Sequence, residues 1–309
     1  MEWYWIVLIV FGACTAITLL LSYYFFRLAF GANRRAIEKT FRAREQDPAP
    51  LVRMRFATKD YMDALPYESL SLTASDGVKL AARFFPNGGT NKIAIICHGW
   101  HSFPWWDFGK AFDLVYDAGF AVLAISQRAQ GDSEGRYMTY GAKESDDLLA
   151  WIDLLNKRFD GDLSVAIMGV SMGAATVLCA TGKALPPFVK CAVADCSFTS
   201  AREEFAASSK GRFALARKVS EAFVRLLAKT RLSDASPIDA VKRSVTPTLF
   251  VHGDADDFVP YPMMQRLYDA CAASEKDLWA SPGAVHAEAA MKNPEEYAAH
   301  VLPFLKRCL

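Results

Sequence analysis

The most informative segment of the sequence is Ser164-Val165-Ala166-Ile167-Met168-Gly169-Val170-Ser171-Met172-Gly173-Ala174-Ala175. It joins an apolar, strand-like run to a Gly-x-Ser-x-Gly pentapeptide and then to small residues that favour a helix. A sharp strand-to-helix turn exposes the serine hydroxyl above the sheet edge, beside a helix N-terminus that stabilises a developing anion. Gly169 and Gly173 allow the strand and the helix to approach closely. We therefore predict that Ser171 is a nucleophile rather than part of an ordinary turn.

Short apolar runs alternate with helical patterns through the rest of the chain. A predicted hairpin comes first, with its turn at Asp76-Gly77 and its second arm ending at Phe85. The later strand-like runs are 93–97, 121–125, 165–168, 191–194, 248–251 and 278–280. Such runs suit strands that are covered on both faces of a parallel sheet. The pattern predicts an α/β fold with one doubly wound, mostly parallel sheet.

One interval, between Cys196 and Val245, contains no strand-like run. It is too long for an ordinary connection, and it predicts a helical lid inserted over about 197–244. Its basic side chains outnumber its acidic ones. This excess fits either a solvated helix face or a surface that faces anionic lipid. One predicted helix runs from Phe213 to Leu227, and its apolar face comprises Leu215, Val219, Phe223 and Leu226.

The N-terminal segment predicts a membrane anchor over 1–30. From Trp3 to Phe30 the only charged residue is Arg27, and this run is long enough to cross a bilayer, which needs about 20 apolar residues. Aromatic residues lie at both ends, as in interfacial belts. A signal peptide would begin with basic residues and have a shorter apolar core. We therefore expect one uncleaved transmembrane helix.

Charge and cysteine usage predict which side of the membrane the rest of the chain occupies. The basic residues that follow the apolar run are Arg27, Arg34, Arg35, Lys39, Arg42 and Arg44. No basic residue precedes that run, so a charged neck over 31–66 and a globular domain over 67–309 are predicted to be cytoplasmic. The seven cysteines are scattered without a CxxC pair, which fits free thiols in a reducing compartment.

The global composition excludes other classes of function. Lys and Arg number 35 against 34 Asp and Glu, so no overall charge favours nucleic acid as a partner. The histidines and cysteines show no metal-ligand spacing, and we expect neither a metal nor another cofactor.

A serine nucleophile needs a general base, and five histidines are available. His98 and His252 each precede a glycine directly after a strand and are expected to shape turns. His286 lies in the loop after the last predicted strand, at the sheet edge where the elbow also ends. We predict that His286 is the base, while His101 lies in the loop of His98 and His300 in a C-terminal helical pattern.

The acid that orients this base has four candidates. Asp254, Asp256 and Asp257 follow one predicted strand, and Asp195 ends the strand before it. Spacing alone does not separate the four. All four give the chain order Ser, Asp, His that an α/β-hydrolase triad requires.

The oxyanion of an acyl-transfer reaction needs two backbone donors. One is expected to be the N–H of Met172, directly after the nucleophile. The other is expected from the loop after the strand 93–97, where Trp100 is the candidate.

These motifs together resemble the α/β-hydrolase superfamily, and more narrowly bacterial membrane-anchored hydrolases similar to serine aminopeptidase-like and acylglycerol-lipase-like enzymes. The matching pieces are His98-Gly99-Trp100, Arg128 with Gly131-Asp132-Ser133-Glu134-Gly135, the elbow, Asp195-Cys196-Ser197-Phe198, Gly253 to Pro260, and His286. The resemblance implies an α/β-hydrolase fold and places the catalytic acid on Asp256. It also implies that the residue after His-Gly, here Trp100, donates to the oxyanion.

The expected function is hydrolysis of a carboxylic ester, possibly a lipid-like acyl ester, by a serine hydrolase. The aromatic loop from Trp100 to Phe108 predicts an apolar rim with Trp105 and Trp106 as substrate-binding residues, unless these rings pack beneath the lid. The expected partners are a small ester or amide and membrane lipid around the anchor. The alternatives are an aminopeptidase or amidase, and a non-catalytic binding module.

Overall fold

The computed structural model describes residues 3–208 and 214–309, and it contains one eight-stranded sheet. The strands are β1 Glu68–Thr73, β2 Lys79–Phe85, β3 Lys92–Cys97, β4 Ala121–Ser126, β5 Ser164–Val170, β6 Val189–Asp195, β7 Thr248–Gly253 and β8 Lys276–Ser281. Their order in the sheet is β1-β2-β4-β3-β5-β6-β7-β8. β2 pairs antiparallel with β1 and β4, and every other neighbouring pair is parallel. The predicted mostly parallel α/β sheet is confirmed.

Helices cover both faces of the sheet. They are α1 Trp3–Phe30, α2 Arg34–Arg44, α3 Pro50–Ala64, α4 Pro104–Asp107, α5 Lys110–Asp117, α6 Glu144–Arg158, α7 Met172–Thr181, α8 Ala201–Ser208, α9 Ala214–Phe223, α10 Pro237–Val241, α11 Pro262–Ala270, α12 Ala289–Lys292 and α13 Pro294–Cys308. A π-helical turn at Val224–Ala228 and a short 3-10 helix at Leu232–Asp234 lie between α9 and α10.

The central strands are apolar throughout because each of their faces meets a different core. Along β5, Val165 and Ile167 pack with Trp151 of α6. The intervening Ala166 and Met168 pack on the opposite face with the cluster that includes Phe304 of α13. Side chains alternate between the two faces of a strand. A strand that is buried on both faces therefore has apolar residues at successive positions.

The segment predicted as a neck contains α2 and α3, and α3 packs into the body. Met62 is buried in the core beside α5, and Tyr61 donates to Asp117 at 2.7 Å. Packing of the body therefore begins before residue 67. The division of the chain into an anchor, a neck and a hydrolase domain stays a prediction.

The N-terminal helix α1 is long and apolar enough to cross a membrane. Its first part, through Leu21, exposes apolar side chains, whereas Ser22, Phe26 and Phe30 near its end are buried. Phe26 lies 6.0 Å from the ring of Phe223 on α9. The end of α1 is thus packed against the body, whereas the side chains of its first part are mostly exposed.

The interval predicted as a lid contains α8, α9 and α10, with no strand among its described residues. One expectation there was wrong: Leu226 is 71% exposed instead of buried, because the π-helical turn changes the helical register and buries Val224 and Ala228. Phe213 lies outside the described residues, and the side chain of Leu215 is not described.

Candidate active site

The turn between β5 and α7 holds Ser171 in a conformation that L-residues rarely adopt, with φ 56° and ψ −119°. A Cβ on Gly169 would lie 2.2 Å from the carbonyl oxygen of Gly173, and a Cβ on Gly173 would lie 1.8 Å from that of Cys97. Only glycine fits at either position. The backbone strain at Ser171 is therefore held by close packing on both sides of the turn.

His286 lies between Ser171 and Asp256. Its Nε2 is 2.8 Å from Ser171 Oγ, and its Nδ1 is 2.7 Å from Asp256 Oδ2. The other carboxylate oxygen of Asp256 accepts the backbone N–H groups of Phe258 and Val259, each at 2.9 Å. The structure thus brings together the three residues predicted as nucleophile, base and acid, at hydrogen-bond distances suited to proton transfer.

The carboxylate of Asp256 is buried yet stays ionised. Burial by itself would raise the pKa of Asp256, but hydrogen bonds from His252 and His286 and the attraction to these rings lower it below its ordinary value. His252 Nε2 lies 3.1 Å from Asp256 Oδ2. A permanently charged partner favours the imidazole tautomer that accepts a proton at Nε2.

The other acidic candidates do not contact His286 within the described part of the chain. Asp254 accepts the backbone N–H of Gly283 at 2.6 Å, and Asp257 is exposed. Asp195 is fully enclosed at the end of β6, where burial raises the pKa of its carboxyl to about 7. Its backbone carbonyl accepts the N–H of Ser171 at 2.8 Å. Asp195 therefore supports the turn through its main chain.

The remaining histidines have structural contacts. His98 is buried, and its Nε2 accepts the backbone N–H of Gln127 at 3.1 Å. His252 Nε2 lies 2.8 Å from the carbonyl oxygen of Val259, as expected of a residue that shapes a turn. The ring of His300 stacks on Trp279 of β8.

The loop after β3 lies against the turn that carries Ser171. A Cβ on Gly99 would be 3.2 Å from Ser171 Cβ, and Asp107 accepts the backbone N–H of Gly99. Within the described ranges, no hydrogen bond occupies the backbone N–H of Trp100 or of Met172. Their role as oxyanion donors stays a prediction.

Two cavities meet at Ser171, and they differ in chemistry. The first, of about 230 Å³, has mostly apolar walls that include Phe25, Leu28, Phe198 and Phe205. The second, of about 370 Å³, also has more apolar than polar wall, but it includes more polar groups than the first, and we call it the polar cavity. These polar groups are the side chains of Thr40, Arg44, His101, Ser102, Asp107 and His286. The serine hydroxyl therefore stands between a strongly apolar cavity and one with more polar groups in its walls.

Glu204 is a polar residue of the apolar cavity that the sequence analysis missed. It is 4% exposed, and its Oε2 has no hydrogen-bond partner among the residues that the structure describes. Burial raises the pKa of Glu204 to about 7, and the negative charge of Asp256 adds to the effect. The sequence could have indicated Glu204 by its position on α8, because it lies one turn after Ala201 and next to Phe205 on an otherwise apolar face.

Arg55 of α3 was also missed, because it lies in the segment predicted as a neck. Its guanidinium donates to the carbonyl oxygens of Trp106 at 2.6 Å and of Ala287 at 2.9 Å. Ala287 directly follows His286. This buried arginine therefore joins the loop of the candidate base to the aromatic loop.

The two tryptophans predicted to bind substrate lie in different places. Trp106 borders the polar cavity, whereas Trp105 borders neither cavity beside Ser171. Trp105 instead packs against Phe41, Phe56 and Phe103, with ring centroids 5.2 to 5.7 Å apart. Phe41 belongs to α2 and Phe56 to α3, so these two helices cover the ring. A substrate contact at Trp105 stays a prediction.

Donor atoms of Cys196, Asp256 and His286 lie within 4.8 Å of one another, close enough to suggest a metal site. Burial raises the pKa of the Cys196 thiol well above its ordinary value, so this group stays protonated. A metal binds the thiolate rather than the thiol. Asp256 and His286 already bond each other, so this donor set fits a proton relay better than a metal.

The sequence is similar to a known family and to curated proteins. Residues 106–309 match the profile of Peptidase_S9, described as the prolyl oligopeptidase family. The uncharacterized protein YqkD of Bacillus subtilis is 30% identical over 224 residues, which are 71% of this chain and 72% of YqkD. The uncharacterized membrane protein YNL320W of Saccharomyces cerevisiae is 26% identical over 224 residues, 72% of this chain and 74% of that protein.

Solved structures share the architecture. Esterase Pf2001 of Pyrococcus furiosus superposes with a TM-score of 0.67 at 26% identity, covering 81% of this chain and 95% of the esterase. Est1E of Butyrivibrio proteoclasticus, solved with ferulic acid, gives 0.62 at 20% identity over 77% of this chain and 98% of its own. The second likeness shows the fold alone. Together they confirm the predicted α/β-hydrolase fold.

Proposed function

Because this chain belongs to the prolyl oligopeptidase family of the α/β-hydrolase superfamily, we propose that it is a serine hydrolase that cleaves carboxylic esters through an acyl-enzyme. The observation that carries the proposal is His286, whose two ring nitrogens lie within hydrogen-bond distance of Ser171 and Asp256. A bridging imidazole of this kind is the geometric definition of a nucleophile, base and acid acting as a unit.

In the proposed reaction, Ser171 Oγ attacks the ester carbonyl carbon while His286 Nε2 accepts the hydroxyl proton. The carbonyl oxygen becomes an oxyanion, which the backbone N–H groups of Trp100 and Met172 stabilise. His286 then returns the proton to the departing alcohol, and the acyl group stays on the serine. Water, deprotonated by the same imidazole, releases the carboxylic acid. Asp256 keeps the ring oriented throughout.

The two cavities support an ester with an apolar acyl part and a polar alcohol part. The walls around Phe198 and Phe205 suit an acyl chain, because apolar surface removed from water stabilises the complex. Arg44 on the other side suits a polar or anionic alcohol group. The similarity to an esterase from Pyrococcus furiosus points in the same direction.

We expect kcat/KM to rise with acyl length from acetyl to octanoyl esters of one alcohol. Each buried methylene contributes up to about 0.8 kcal/mol, so the octanoyl ester should exceed the acetyl ester by at least about tenfold. The measurement is a steady-state series with the full chain in detergent or vesicles. Preference for acetyl that declines steadily with length would mean a small closed pocket and would remove lipid-like esters as the substrate class.

A second candidate, an aminopeptidase or amidase, is favoured by Glu204. An unpartnered carboxyl inside the apolar cavity is suited to bind the amine at the end of a peptide. This candidate predicts that amides with a free amine are cleaved faster than esters and that Glu204→Gln abolishes that preference. The ester proposal predicts that such amides are poor substrates. A non-catalytic binding module would hydrolyse neither.

For the location of the protein, we propose a single-pass membrane anchor at α1 with the body in the cytoplasm. Its support is the length and exposed apolar surface of α1, together with the basic residues that follow it. We expect a reporter fused after Leu309 to be active if it functions only in the cytoplasm. A reporter that functions only outside the cytoplasm should stay inactive, and its activity would reverse the proposed orientation.

A further inference from the structure

The end of α1 forms part of the apolar cavity beside Ser171. Phe25, Leu28 and Ala29, all in the last two turns of α1, line this cavity together with Ser171 and Met172. Leu28 is 44% exposed and also lines the cavity, so it stands at the opening. The helix that is long enough to cross a membrane is therefore also a wall of the candidate acyl site.

The loop of the proposed oxyanion donor is bonded to the same helix end. The indole N–H of Trp100 donates to the carbonyl oxygen of Ala29 at 2.7 Å. His101 Nε2 lies 3.1 Å from the carbonyl oxygen of Gly31, and the two rings stack 4.1 Å apart. These contacts require the end of α1 to be in this position, so the predicted anchor helix and the loop of the proposed oxyanion donor pack together.

The length of α1 gives the position of the cavity opening relative to a membrane that this helix would cross. The 28 residues of α1 extend over about 42 Å at 1.5 Å per residue. A hydrocarbon core of about 30 Å takes about 20 residues, which the exposed apolar stretch from Trp3 to Leu21 nearly supplies. Tyr24, 58% exposed, then falls at the interface, where tyrosine is enriched. Leu28 lies one turn beyond it.

We propose that the apolar cavity opens sideways to the membrane interface and that the substrate is an acyl ester lipid of the bilayer. Its chain passes Leu28 into the cavity without crossing bulk water, and its ester group, which in lipids lies at the interface, reaches Ser171. This proposal rests on the proposed esterase function. It adds the source of the substrate and gives α1 a role in specificity besides anchoring.

The test uses the full chain in phosphatidylcholine vesicles, with p-nitrophenyl acetate as the soluble ester and p-nitrophenyl dodecanoate as the bilayer-resident ester. Leu28→Trp narrows the opening and should lower the ratio of the dodecanoate rate to the acetate rate at least about tenfold. The matched control is Leu20→Trp, on the part of α1 that is 68% exposed at that residue. It should change neither rate.

A measurement on the unaltered chain complements the variants. At a fixed total concentration of dodecanoate ester, the rate should fall as added phosphatidylcholine dilutes the ester within the bilayer. A rate that follows total concentration instead, or an unchanged ratio of the two rates in Leu28→Trp, would overturn lateral entry while leaving the esterase proposal intact. Absence of turnover of both esters by the unaltered chain would contradict the proposed function itself.

Discussion

Replacing Ser171 with alanine is expected to abolish ester hydrolysis, with a loss in kcat on the order of 10⁶-fold. The reason is that no other hydroxyl among the described residues lies within hydrogen-bond distance of His286, so no group replaces the nucleophile. The change removes one oxygen atom from a side chain that is 8% exposed. We therefore expect the circular dichroism spectrum and the melting temperature to stay close to those of the unaltered chain.

Labelling by a fluorophosphonate probe is an independent test of whether Ser171 is the nucleophile, because this probe reacts with activated serines irrespective of the substrate. The Ser171→Ala protein should not be labelled, whereas Ser69→Ala, on the edge strand β1 and exposed, should be labelled fully. Undiminished labelling of purified Ser171→Ala would mean that another serine is the nucleophile.

Asp256→Asn is expected to lower kcat by on the order of 10⁴-fold with little change in fold. The carboxamide has nearly the same shape, but its NH₂ group favours the wrong imidazole tautomer at His286 Nδ1 and carries no negative charge for the imidazolium. The measurement is kcat and KM for one ester at neutral pH. KM should change little, because Asp256 acts through His286 rather than on the ester.

The neighbouring aspartates provide matched controls for this charge removal. Asp257→Asn changes an exposed carboxylate, and Asp254→Asn changes one whose contact is the N–H of Gly283. Both should retain most of the activity. If Asp195→Asn is instead the crippling change and Asp256→Asn is mild, the acid has been assigned to the wrong residue.

The sheet and its turn could be predicted from local sequence, because both depend on properties of consecutive residues. β5 is apolar at every position from Val165 to Val170 since both of its faces are buried. The two glycines beside Ser171 are required by contacts within that same turn and with the neighbouring strand. Positions at the ends of predicted strands then limited the acid to four residues, and only the family resemblance favoured Asp256 among them.

Local sequence therefore accounts for the α/β sheet, the strained turn at Ser171 and the loop of His286. The surroundings of these elements depend on how distant segments pack. In the structure, Trp105 packs against Phe41 and Phe56, Glu204 lines the apolar cavity, and the end of α1 lies beside Ser171. The difference is one of distance along the chain. Strand and turn patterns arise from residues that are close in the sequence. A cavity is formed by segments far apart in the chain, and their contacts produce no periodic pattern within any one segment.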